Sequence, residues 1–175
     1  MTSEEIIRDA FNASILVKQT LMQQSVPVIQ KMASQIVRAY KRGGKLVLFG
    51  NGGSAADAQH VAGELVNRFL FDRPALPAIA LTTDSSILTC VGNDSAFDQI
   101  FARQVEALVT PDDVVIGIST SGNSANVLTG VQAARAKGAF TIGLSGRRGG
   151  HLKNLVDLCL VVPSESTPRI QEAHI

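Results

Sequence analysis

Two short segments bring together residue types that can do chemistry jointly. The first is Gly50-Asn-Gly-Gly-Ser54, with His60 and Glu64 following it. An apolar run, Leu46-Val-Leu-Phe49, leads into the turn, and residues 54–67 carry a helical pattern. Backbone N–H groups at such a turn and at a helix mouth face a phosphate or another anion. His60 and Glu64 are four residues apart and share a helix face. They suit two metal ligands, or a base beside its orienting partner; the plainer account is a solvated pair. The second segment is Ser119-Thr-Ser-Gly-Asn-Ser124, with four hydroxyls, an amide and a glycine within six residues. It offers many neutral donors to one anion, whereas a helix N-cap needs only one of those hydroxyls.

Neither segment is a nucleotide-binding fingerprint. The Gly-x-Gly-x-x-Gly spacing and a Walker lysine are both missing. The pair of loops reads instead as a site for a phosphate ester, with an acid–base or metal-assisted pair behind it.

The elements that position these loops follow from the hydrophobic pattern. Apolar runs at 45–49, 78–81, 114–118, 141–144 and 158–162 read as strands. Helical patterns at 55–67, 96–108, 125–137 and 152–155 lie between them. Uniformly apolar strands alternating with amphipathic helices predict a doubly wound parallel five-stranded sheet in three layers, with helices on both faces. Ligands then bind outside the carboxyl ends of the strands, where both polar segments fall. Upstream, Thr2 and Glu5 form a capping box, and an apolar helix runs to Met22. Ser25 and Pro27 predict a second helix start, and Gly43 an end. The wide apolar surface of the first helix suits packing against another subunit. Asn93-Asp94 reads as a turn, with Asp94 suited to an N-cap.

Composition narrows the class. The 175 residues predict one domain, and 16 Lys and Arg against 15 Asp and Glu give a formal net charge of +1. That balance argues against binding nucleic acid or membrane through bulk charge. Cys90 and Cys159 sit in apolar surroundings and read as buried, reduced thiols. With no signal-like start and no apolar stretch of spanning length, the expectation is a cytoplasmic protein.

Taken together, Gly50–Ser54, Ala62-Gly-Glu-Leu65, Arg73-Pro, Pro77-Ala-Ile-Ala80, Val91-Gly-Asn-Asp94, the segment 117–126 and Arg169-Ile-Gln-Glu172 resemble the phosphoheptose isomerases. These form the sedoheptulose 7-phosphate branch of the sugar isomerase (SIS) fold. The resemblance runs along nearly the whole chain and implies a single SIS domain over 1–175 and a homotetramer. It implies isomerisation of sedoheptulose 7-phosphate to D-glycero-D-manno-heptose 7-phosphate through an enediol, feeding ADP-heptose and lipopolysaccharide core synthesis. It assigns substrate binding to Asn51, Gly52, Gly53, Ser54, Asn93, Asp94, Ser119, Thr120, Ser121 and Ser124. It assigns a zinc ion to His60, Glu64 and Gln171, with Glu64 and Gln171 also meeting substrate and Glu64 serving as the catalytic base. The family's further histidine, its fourth zinc ligand, falls two helical turns after Gln171, past Ile175, so the chain is expected to stop within its C-terminal helix. Pro168 replaces a residue that is often acidic in the family. A competing reading is a non-catalytic SIS protein that binds a sugar phosphate or the replication initiator DnaA; Glu64 favours the enzyme.

Overall fold

The computed structural model describes residues 1–175. Strands β1 (Leu46–Gly50), β2 (Ala78–Ala80), β3 (Val114–Ser119), β4 (Phe140–Gly146) and β5 (Leu158–Val162) form one sheet. Their order is β2-β1-β3-β4-β5, and every neighbouring pair is parallel. All residues of β1 and β3 are buried, which explains why those runs lack polar alternation.

Alternate side chains of the sheet enter two separate cores. Leu46, Leu48, Ile116, Ile118 and Leu160 pack with residues of α1 (Ser3–Lys41), α2 (Gly53–Val66) and α7 (Thr167–His174). Val47, Phe49 and Val115 pack on the opposite face with α4 (Ala102–Leu108), α5 (Ala125–Ala136) and α6 (Leu152–Leu155). The period-two alternation of strand side chains thus produces the three layers. Phe49 stacks on Phe101 with ring centroids 4.9 Å apart, a contact worth about 0.5–1.5 kcal/mol beyond simple burial.

Three sequence expectations are corrected. Residues 3–41 form one continuous helix, with Pro27 inside it rather than at a new start. A mid-helix proline costs about 3 kcal/mol. Here buried Leu21 on one side and Met32 and Ala39 on the other keep both halves against the same core. The helix expected over 96–108 is a 3₁₀ turn, Phe97–Gln99, followed by α4. Before them lies α3 (Ser85–Asp94), whose Asp84 cap accepts from the Ile87 N–H at 2.9 Å. No residue of α3 is fully buried; only Leu88 and Val91 pack against the core, too short an apolar stripe to stand out in the sequence. Cys90 lies on that helix and is exposed, not buried. Cys159 is half-buried, and burial pushes its thiol up to about 11.

The capping box is present: Thr2 Oγ1 accepts from Glu5 N–H, and Glu5 accepts from Thr2 N–H. Ile6, Ile7, Phe11, Ile15 and Leu16 stand exposed on the first turns of α1. No helix is long and apolar enough to cross a membrane.

Candidate active site

The chain runs from β1 outward to β2, then returns to place β3 on β1's other side. That reversal makes the β1/β3 boundary the switch point where open α/β sheets bind ligands. Gly50 is paired with Ile118, so the loops after β1 and β3 emerge side by side. Both polar segments found in the sequence therefore meet at the crevice the topology creates.

The β3–α5 loop is a compact hydroxyl cluster. Ser119 Oγ lies 2.9 Å from Ser124 Oγ and 3.4 Å from Ser121 Oγ. Ser124 occupies the N-cap position of α5, yet its side chain makes no capping bond. Its hydroxyl is turned toward Ser119 instead, leaving the first N–H groups of α5 without a side-chain acceptor. A helix mouth with free donors beside three hydroxyls is the arrangement an anion needs, and a simple N-cap does not explain it. Gly122 has φ +70°, and a Cβ there would strike the Gly149 carbonyl. The loop thus lies directly on the β4–α6 loop, where Gly146 N–H donates to Thr120 O.

At the neighbouring β1–α2 turn, Gly52 caps α2 with φ +55° and no side-chain hydrogen bond, and the N–H groups of Ser54, Ala55 and Ala56 donate to the carbonyls of Asn51 and Gly52. Ser54 is buried in the first turn. Asn51 Nδ2 donates to Asn126 Oδ1, and Asn126 Nδ2 donates back to Asn51 Oδ1, both at 2.8 Å. Asn126 is almost fully buried in α5, so this reciprocal pair ties the two loops together. Each amide keeps one N–H and one acceptor position free.

Further along α2, His60 Nε2 lies 4.0 Å from Glu64 Oε1, and the Glu64 side chain is 40% exposed. The carboxylate reaches more water than the base reading anticipates. Arg73 donates to the carbonyls of Glu64 and Leu65, fixing the end of α2. Asp57 lies one turn before His60 with Oδ2 buried and unpaired. Burial raises its carboxyl above the ordinary value, against a lowering by His60. His60 and Glu64 line a 340 Å³ pocket together with Phe69, Arg73 and His174. His174 Nε2 lies 3.1 Å from Ser145 O, and burial holds the ring below its usual pKa. The ring is therefore neutral near pH 7, with its proton on Nε2.

Gln171 comes to the mouth of α2, where its amide fills the space a Cβ on Gly53 would take. That is about 10 Å along the helix from His60, at 1.5 Å per residue. Asn93 and Asp94 end α3 rather than forming a turn, and Asn93 Nδ2 donates to Asp94 Oδ1. No hydrogen bond joins either to the two loops.

The fit to zinc rests on the His60–Glu64 pair. A tetrahedral ion with bonds near 2.0–2.1 Å spaces adjacent donors by roughly 3.4 Å, so the observed separation suits two donors to one ion after a small rotation. No group of three His, Cys, Asp or Glu is close enough to hold a metal. The donor chemistry fits as half a site.

Sequence reasoning passed over Asp57 and gave no site role to Asn126 and Arg73, which it met only as parts of the family motifs. Asn126 lies on an otherwise apolar helix face, which is the signal that singles it out.

The chain matches the SIS domain family over residues 11–146. It is 56% identical to a phosphoheptose isomerase of Roseiflexus over 167 residues, covering 95% of this chain and 85% of the relative. Its fold is similar to that of the phosphoheptose isomerase of Neisseria gonorrhoeae, with TM-score 0.94 and 44% identity over 99% of this chain and 93% of that one. The Francisella tularensis phosphoheptose isomerase gives TM-score 0.96 and 42% identity over the same shares.

Proposed function

The chain belongs to the SIS-domain family as a sugar-phosphate isomerase of the phosphoheptose isomerase group, and from that premise we propose that it interconverts D-sedoheptulose 7-phosphate and D-glycero-D-manno-heptose 7-phosphate. The observation that carries the proposal is the pairing of the open α5 mouth and its serine cluster at the switch point with a His/Glu pair on the neighbouring α2. The serine cluster and the N–H groups of α5 bind the phosphate, with Thr120 in the same loop. Asn51, held by Asn126, offers its remaining N–H to a sugar hydroxyl beside Gly52, Gly53 and Ser54. His60 lies about 10 Å along α2 from Gly53, at 1.5 Å per residue, a length of the order of an extended seven-carbon chain, and the proposal lays the sugar along α2 with its carbonyl end toward the His60–Glu64 pair.

Glu64 removes the proton from the hydroxyl-bearing carbon next to the carbonyl and returns it to the carbonyl carbon, while the hydroxyl's proton passes to the former carbonyl oxygen. General-base catalysis of this kind supplies about 10²–10⁴-fold. Binding energy at the remote phosphate orients the reacting carbons. Zinc belongs to the same proposal: His60 and Glu64 would supply half of its site, Gln171 would join them only by leaving its place against Gly53, and when bound the ion supplies Lewis-acid polarisation of a carbonyl oxygen. The same proposal gives Asn93 and Asp94, at the end of α3, a contact with substrate. The exposed apolar face of α1 assembles the enzyme into a cytoplasmic homotetramer, and the product feeds ADP-heptose and lipopolysaccharide core synthesis.

The test is to follow the two heptose phosphates by NMR, with zinc and with a chelator. Reversible interconversion supports the proposal. Binding without interconversion under either condition overturns it.

A further inference from the structure

A phosphate dianion held only by serine hydroxyls and backbone N–H groups lacks a cation among its ligands. The β4–α6 loop, which packs on the serine loop, carries two. A 360 Å³ pocket beside the serine cluster is lined by Ser121, Asn123, Arg147, Arg148, Gly150 and Glu165, with no apolar side chain. Ser121 belongs to both: its hydroxyl is 3.4 Å from Ser119 Oγ and it also lines this pocket. The pocket therefore begins one hydroxyl away from the proposed phosphate position.

The loop carrying the arginines is fastened rather than free. Gly146 N–H donates to Thr120 O, Leu152 N–H to Gly122 O, and His151 N–H to Asn123 Oδ1. Arg147 N–H donates to Ser164 O on the far side. Arg147 has φ +58°, a left-handed conformation that suits glycine and that arginine rarely adopts. Strain of this kind persists where the surroundings hold it, and it is common where a side chain must be aimed. Glu165 stands 3.9 Å from Arg147 Nε, too far to bond it well, and Arg148 pairs with no carboxylate.

We propose that Arg147 and Arg148 form the cationic wall of an anion subsite continuous with the serine loop, and that this subsite takes the phosphate group of the sugar substrate. The inference rests on the sugar-phosphate reading of the site. Guanidinium groups at the rim attract the dianion before it docks, and they favour phosphorylated sugars over neutral ones.

The test uses binding rather than turnover, so it stands apart from the isomerase assignment. Dissociation constants for inorganic phosphate and for sedoheptulose 7-phosphate are measured by calorimetry at low and high salt. The proteins are the unchanged chain, Arg147→Gln/Arg148→Gln, and Arg147→Gly. The double variant is expected to bind both ligands about tenfold more weakly at low salt, with a flatter salt dependence. Arg147→Gly relieves the backbone, so it is expected to melt no lower than the parent while still binding phosphate more weakly. Unchanged affinity and salt dependence in the double variant would overturn the subsite. Weaker binding of inorganic phosphate alone would overturn its assignment to the substrate's phosphate. If the arginines govern binding in a chain that isomerises nothing, the isomerase reading fails and the subsite stands.

Discussion

Replacing Asn126 by alanine removes both hydrogen bonds of the amide pair that joins the two loops, each 2.8 Å long. A hydrogen bond of this kind contributes about 1 kcal/mol net, so the pair accounts for about 2 kcal/mol. Asn51 is only half-buried, so water can replace part of what its amide loses and the penalty for a stranded group stays small. For a domain of this size, that loss lowers the melting temperature by roughly 4–8 °C. Asn51→Ala removes the same two bonds, so the double variant should lose little more than either single variant. Denaturant unfolding of all four proteins gives a coupling energy of about 1–2 kcal/mol if the pair acts as a unit. Simple additivity of the two substitutions would refute the claim that these amides hold the loops to each other. Freed from its partner, Asn51 should also bind sugar phosphate more weakly in Asn126→Ala at temperatures where that variant remains folded.

Asp113 offers a pH test. Its carboxylate is buried, which by itself would raise its pKa; hydrogen bonds from the Lys45 ammonium and from the N–H groups of Thr110 and Lys45 outweigh this and hold it below the ordinary value. Because the folded pKa lies below the unfolded one, its contribution is fully present above about pH 4 and disappears as the pH falls through the folded value. Urea midpoints measured against pH should decline over that acid range in the parent and decline less in Asp113→Asn, which should lose about 3 kcal/mol at neutral pH. Gly130→Ala places a Cβ 2.8 Å from the Phe49 ring and 3.0 Å from Phe101 Cβ. Alanine's helix preference of about 1 kcal/mol should be outweighed by overpacking of about 1–3 kcal/mol. A thermal melt is expected to show a less stable protein, and a more stable one would contradict the packing described.

Much of the fold is written in the period of its apolar residues. The β1 and β3 runs are apolar without interruption because both faces are covered, and both polar loops fall at the carboxyl ends where they were expected. Helix α3 was hidden because only Leu88 and Val91 of its ten residues pack on the core, and the continuity of α1 through Pro27 depends on distant core contacts that no local signal records. In the candidate site, the serine cluster and the His60–Glu64 pair were legible from spacing. The turning of Ser124 away from its cap and the Asn51–Asn126 bonds were not, since they join residues 5 and 75 positions apart. Gln171 reaches the crevice only because α7 packs back onto α2, and sequence spacing cannot supply that contact.

The account stands on Glu64 as the group that moves the proton. The direct measurement is interconversion of the two heptose phosphates by Glu64→Gln, beside that variant's dissociation constant for sugar phosphate. The expected result is turnover reduced by at least about 10²-fold, the lower bound for a lost general base, with sugar-phosphate affinity largely kept. Turnover close to that of the unchanged chain would contradict the account.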